Sequence, residues 1–147
     1  MRSVCTAVPF SFFSHTGDIG LTLTARSLDE LFADAAVALT ETMTDHGLVA
    51  IRQSTAVELR SAAIDLLLVD WLNDLVFRFD TEGLLVARAR VAVVREGGEW
   101  TVRGSVEGEC LDPARHPIKV LVKAATYHAL EASRAADGWR ATVVLDV

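Results

Sequence analysis

Residues 19–25 alternate strictly, with Ile19, Leu21 and Leu23 set against Gly20, Thr22 and Thr24. That is the period of a half-buried strand. An aromatic-rich run at 8–13 precedes it, where Pro9 suits an edge strand or a strand start. The alternation returns at 55–60, with Val57 and Leu59 against Glu58 and Arg60. It is longest at 84–94 and 100–107, where Leu85, Ala87, Ala89, Val91 and Val93 face away from Arg88 and Arg90. Trp100, Val102 and Val106 answer them across a Gly97-Gly98 turn, which predicts a hairpin. Propensity within 120–134 favours a helix, but an Asp137-Gly138 turn signal followed by Trp139, Ala141, Val143 and Leu145 predicts a closing hairpin over 126–147. Asp146 then falls on the polar side, with Arg140 and Thr142.

Two stretches carry the helical period instead. Ser27 and Glu30 form a capping box. The helix they start aligns Leu28, Leu31, Phe32, Ala35, Leu39, Thr42 and Met43, with Gly47 as its expected stop. Asp65 is the expected cap of a second helix to about Asp80, burying Leu68, Trp71, Leu72, Leu75, Val76 and Phe79. Its solvent face holds Asp70, Asn73, Asp74 and an exposed Phe77. Residues 108–119 break every period, contain two of the three prolines and read as a loop. Glu109, Asp112, Arg115, His116 and Lys119 make this loop the densest polar cluster of the chain. The expectation is an α+β fold of one domain, 1–147: two layers, with a mostly antiparallel sheet of about seven strands and two helices on one face.

Composition narrows the function. The 147 residues are 51% hydrophobic and 23% charged, as in a globular protein. A net charge of −6 has the wrong sign for gripping phosphates, so no direct nucleic-acid binding is expected. The apolar run at 64–69 is soon broken by Asp70 and Asn73, which leaves no membrane span. Residues 1–10 lack a cleavable signal, and Cys5 and Cys110 form no close pair, so a cytoplasmic protein is expected.

No nucleophile-and-base signature emerges. The four histidines, His15, His46, His116 and His128, have no HExxH-type spacing, and no GxSxG or glycine-rich phosphate loop is present. Oxygen ligands are more evident. Ser14-His15-Thr16-Gly17-Asp18-Ile19-Gly20 places a carboxylate between two glycines, where the backbone turns or meets another group closely. The same local composition also fits an Asp that bonds its own turn. At the other end, the Asp146 side chain adjoins the α-carboxylate of Val147. If the last strand lies near the first pair, Asp18 adds a third carboxylate, and such a set suits a hard cation such as Ca²⁺ or Mg²⁺ rather than Zn²⁺.

The stretch SHTGDIG (14–20) resembles the HTADIG signature of the archease family. The resemblance continues through SLDELFADAAVALTETMTD (27–45), LLVDWLNDLVFRFDTEGLL (67–85), GECLDPARH (108–116), VKAATYH (122–128) and WRATVVLDV (139–147). Gly17 stands where the family usually has Ala, and 46–54 fits poorly. The resemblance implies a two-layer α+β domain acting as a non-enzymatic accessory protein. Its implied partner is the GTP-dependent RNA ligase that joins a 3′-phosphate or cyclic phosphate to a 5′-hydroxyl in tRNA splicing and RNA repair. It also implies a metal site at Asp18, Asp146 and the Val147 carboxylate, with Ca²⁺ the first choice and Mg²⁺ or Mn²⁺ the alternatives. His15, Glu109, Arg115, His116, Lys123 and His128 occupy motif positions without an assigned chemical role, and loop-pinning bonds explain them equally well. Two other functions compete: a small metal-dependent hydrolase with His15 as base, and a general interaction or chaperone module.

Overall fold

The computed structural model describes residues 9–147 apart from Thr16. Cys5, and Val8 of the expected first strand, lie outside the described residues. The elements run β1 (Phe10–His15), β2 (Asp18–Ala25), α1 (Leu28–Met43), β3 (Gln53–Ser61), α2 (Ile64–Glu82), β4 (Leu84–Glu96), β5 (Glu99–Cys110), β6 (Ala124–Ala135) and β7 (Gly138–Asp146), with a short 3-10 helix at His46–Leu48. The α+β architecture of seven strands and two helices is as expected. All strand pairs are antiparallel, and the strands divide into two sheets, β1-β2-β7-β6 and β3-β5-β4.

The helices owe their faces to the sequence stripes, but their ends to the surroundings. Ser27 Oγ accepts from the Glu30 N–H at 3.2 Å and starts α1 as its N-cap, one half of the expected capping box. The helix stops at Met43 rather than at Gly47. Thr44 leaves in extended conformation because its hydroxyl donates to the Pro117 carbonyl at 2.7 Å, a bond no local pattern announces. Gly47 lies instead in the 3-10 turn, where Asp45 Oδ1 accepts its N–H. Asp65 is not the cap of α2. Ala63 holds that position without a side-chain bond, and Asp65 bonds the Leu66 N–H one residue into the helix. Gly83, at φ 74°, ends α2 in the left-handed conformation open to glycine.

Between the layers, Trp71 and Phe32 are fully buried, and the Trp71 indole N–H donates to the Phe32 carbonyl at 2.9 Å. A buried indole needs such an acceptor, and this one ties the two helices together.

Two sheet edges are closed by helix side chains. β4 ends one sheet and β6 ends the other. Along β4, Asp29 of α1 accepts the Val93 N–H at 2.8 Å. Thr40 Oγ1 donates to the Val86 carbonyl at 2.8 Å and accepts the Val86 N–H at 3.2 Å. Along β6, Asn73 of α2 accepts the Ala125 N–H at 2.7 Å and donates to the Ala125 carbonyl at 3.1 Å. These side chains stand in for a missing neighbouring strand and blunt edges that would otherwise pair with another chain. Asn73 is therefore half-buried and structural, not part of a purely solvent face. Phe77 does stand out, 62% exposed.

The strand limits shift for similar reasons. β5 runs on through Cys110, so Glu109 belongs to a strand and the loop begins after it. The last hairpin turns at Ala136 and Asp137, since Ala135 pairs with Gly138. Gly138 is the first residue of β7, and a Cβ there would run into the Ala25 carbonyl. β6 begins at Ala124, two residues before the expected start.

Candidate functional site

The β1–β2 hairpin forms the corner. His15 pairs with Asp18, and Gly17 at φ 79° makes the tight reversal possible. On the other side of β2, Ile19 pairs with Leu145 of β7. One residue further along the same register, Asp18 comes alongside Asp146. The backbone thus places His15, Asp18 and Asp146 in one row across three strands. The His15 side chain and Thr16 lie outside the described residues. Asp146 is held from behind, because its carbonyl accepts the Lys123 N–H at 2.7 Å. Val147 follows β7 directly and packs its side chain against the core.

The next row explains Gly20. Phe13 pairs with Gly20, and Gly20 with Val144. The Phe13 ring lies over the glycine so closely that a Cβ at position 20 would run into it. Gly20 therefore serves a close approach rather than a turn, and Phe13 walls the carboxylate row. Phe13 carried no signal in the sequence beyond its place in an aromatic run. Phe12, Phe13, Asp18, Ile19, Glu41, Thr42 and Lys119 together line a cavity of about 360 Å³.

Glu41, Asp45 and His46 make a group the sequence reading did not single out. Their ligand atoms lie within 4.8 Å of one another, an arrangement of metal-binding type. Glu41 is already engaged: Oε1 meets the His46 ring Nδ1 at 2.6 Å and its backbone N–H at 3.0 Å, and Oε2 takes the Lys119 ammonium at 2.8 Å. Burial alone would raise the Glu41 carboxyl, yet the Lys119 and His46 bonds hold it at about 2. An ammonium in contact with the carboxylate opposes a cation there, so these residues act first as an ion-pair cluster.

Glu109, Arg115 and His116 also come together, but around themselves. Glu109 is buried, and its two oxygens accept from Arg115 Nη1 and Nη2 at 2.8 Å each, Ala50 N–H at 2.7 Å, Arg52 Nε at 3.1 Å and His116 Nε2 at 3.0 Å. The Arg115 fork, then the Ala50 amide and His116, hold its carboxyl well below the usual carboxylate range. His116 is fully buried, and its Nδ1 accepts the Asp112 N–H at 2.9 Å. That assigns the proton to Nε2, facing Glu109. Both ring nitrogens are occupied, so the loop-pinning reading fits these three residues.

Lys123 and His128 are exposed. Lys123 adjoins the carboxylate row through its backbone. His128 lies in an irregular part of β6, where residues 127–130 fall between the pairs Thr126↔Val144 and Glu131↔Thr142. Ala129 takes a positive φ of 54° there. No helix among the described residues is long and apolar enough to cross a membrane.

The geometry is that of a small two-sheet α+β protein with Asp18 and Asp146 at the same end of neighbouring strands in a four-stranded sheet. The profile of the archease protein family matches residues 10–147, and the chain belongs to that family. It is 35% identical over 139 residues to the protein archease of Methanosarcina acetivorans, covering 94% of this chain and 95% of that one. To the Methanopyrus kandleri protein archease it is 33% identical over 140 residues, covering 95% and 100%. The solution structure of Methanobacterium thermoautotrophicum protein 1598 superposes with a TM-score of 0.82 at 31% identity, covering 96% of this chain and all of that one. The crystal structure of a Thermotoga maritima archease, described there as a possible chaperone, shares the fold at 24% identity with a TM-score of 0.56, covering 92% and 94%.

Proposed function

We propose that the protein is a non-enzymatic cofactor of a GTP-dependent RNA ligase of the 3′-phosphate/5′-hydroxyl type, promoting guanylylation of the ligase and its multiple turnover. The observation that supports this reading is the Ile19–Leu145 pairing, whose register continued by one residue would bring Asp18 alongside Asp146, in a chain of the archease family. Their oxygens suit a hard divalent cation, Ca²⁺ first and Mg²⁺ or Mn²⁺ next. Such an ion would supply positive charge to phosphate oxygens. The chain's own part is to hold the ligands in place: the ladder fixes Asp18 and Asp146, the Lys123 amide anchors the Asp146 backbone, and Phe13 walls one side.

The hydrolase alternative would need His15 as its base. Of the other histidines, His116 has both nitrogens committed, and His46 Nδ1 lies against Glu41. A chaperone-like module would bind many proteins rather than one.

The test is a guanylylation assay of the purified ligase with GTP, with and without this protein and its Asp18→Ala variant. The expected result is strong stimulation by the wild type and none by Asp18→Ala, which remains folded. Turnover of phosphoesters by this protein alone with Mg²⁺ would overturn the reading in favour of a hydrolase. A large stability loss in Asp18→Ala without metal would make Asp18 structural.

A further inference from the structure

The four sheet edges of this fold are treated unequally. β4 and β6 are sealed by side chains of the helices, Asp29 and Thr40 on one and Asn73 on the other. Both strands are also interrupted by a shift of register, between Val86 and Arg88 in β4 and between Thr126 and Glu131 in β6. β1 is short, at six residues. β3 is the remaining edge and has none of these devices. It runs for nine residues and pairs with β5 without a break, from Gln53↔Gly108 to Ser61↔Trp100. Among the described residues no helix side chain bonds its backbone. A long, regular and unsealed edge is a template for one more strand.

The side chains of β3 show which strand fits. Val57 is buried and Leu59 packs against the core, so the odd positions face inward. Glu58 and Arg60 face outward, 57% and 56% exposed, and touch each other only at 3.8 Å. Across the β5 ladder Glu58 stands opposite Arg103, and Arg60 opposite the uncharged Thr101. Towards the open edge neither has a neighbour in its own sheet.

We propose that β3 pairs antiparallel with β3 of a second copy of this chain, about a two-fold axis at Leu59, joining the two three-stranded sheets into one. Such an axis sets one surface against itself. It must pass through a residue position, because a slip of one residue would turn Val57 and Leu59 out to solvent. Placed at Leu59, it sets the two Leu59 side chains opposite each other and Glu58 opposite Arg60 twice, once on either side. Each Glu58 then lies between Arg103 of its own β5 and the Arg60 of the other copy. Placed at Glu58 or at Arg60, the axis would oppose like charges, which is destabilising. Placed at Val57, it would set Glu58 against Ala56 and Arg60 against Ser54, with no charge answered. Charge complementarity therefore selects both the occupant and the register. β3 lies in the sheet that does not hold Asp18 and Asp146, so this association is independent of the ligase reading.

The experiment is sedimentation equilibrium of the full chain, with a thermal melt of each sample. A strand edge is a small interface and the dimer a weak one, so the protein is studied from about 10 μM to about 1 mM. The samples are the wild type, Glu58→Arg, Arg60→Glu, and an equimolar mixture of the two variants. The expected result is a concentration-dependent wild-type dimer, weakened on the order of tenfold or more in each variant alone, because each then opposes like charges on both sides of the axis. The mixture should recover the dimer, since each substituted position there faces the opposite charge, and that recovery also shows both variants to be folded. If either variant loses its cooperative melt, Glu58→Gln/Arg60→Gln takes its place and should dimerise more weakly than the wild type. A wild type that stays monomeric at about 1 mM would overturn the proposal, as would a dimer indifferent to these substitutions. Two folded variants whose mixture associates no better than either alone would overturn it as well.

Discussion

Removing the Asn73 side chain should loosen the sheet edge at which β6 begins. Asn73→Ala deletes the acceptor for the Ala125 N–H at 2.7 Å and the donor for its carbonyl at 3.1 Å. Each bond contributes a net amount of about 0.5–1.5 kcal/mol, so the pair is worth about 1–3 kcal/mol. For a chain of this length that lowers Tm by roughly 3–8 °C. Asn73→Asp is the sharper variant. At neutral pH its carboxylate still accepts the Ala125 N–H but has no proton for the carbonyl, so it should recover only part of the loss. Urea unfolding gives the total, and amide exchange locates it: Ala125 should lose protection while the β4–β5 hairpin keeps its own. An Asn73→Ala variant with an unchanged urea midpoint, or an Asn73→Asp variant as stable as wild type, would refute the claim that α2 seals this edge.

Trp71→Ala should cost about 3–5 kcal/mol in urea unfolding, through lost volume and an orphaned Phe32 carbonyl, whereas Phe77→Ala should cost under about 0.5 kcal/mol. Equal losses would show that the buried face of α2 is misplaced. Burial, and then the neighbouring Glu30, raise the Asp34 carboxyl from 3.8 to about 6. The folded state holds this proton more tightly than the unfolded chain, so the cost of ionising Asp34 is absent below about pH 4 and grows as pH rises through 6. Asp34→Asn should therefore be more stable than wild type at pH 7.5, by about 1 kcal/mol after allowing for partial exposure, and equal to it near pH 3.5. A constant difference across that range would rule out Asp34 as the source. Asp146→Asn should weaken Ca²⁺ binding in calorimetry without unfolding the protein. Unchanged Ca²⁺ affinity in that variant would remove Asp146 from the ligand set.

What the sequence determined by itself was periodicity and local bonding. The stripes of α1 and α2, the Gly97-Gly98 hairpin and the Ser27 cap are properties of neighbours in the chain, and they appear where those neighbours predict them. Asp18 and Asp146 could be grouped from their chemistry as oxygen ligands, but nothing in spacing relates positions so far apart, and the family resemblance strengthened the grouping. Tertiary structure decided the rest. The Thr44–Pro117 bond ends α1 before Gly47, and the two Asn73 bonds to Ala125 turn an apparently solvent-facing amide into an edge seal. Gly20 is glycine because the Phe13 ring lies over it from the paired strand. Glu109, Arg115 and His116 read as a dense polar cluster by composition, and folding turns the Arg115 fork and His116 Nε2 onto the Glu109 carboxylate. In every one of these cases the deciding contact joins residues that only the paired strands or the packed loop bring together. Local pattern reports which groups a segment must satisfy; the fold chooses what satisfies them.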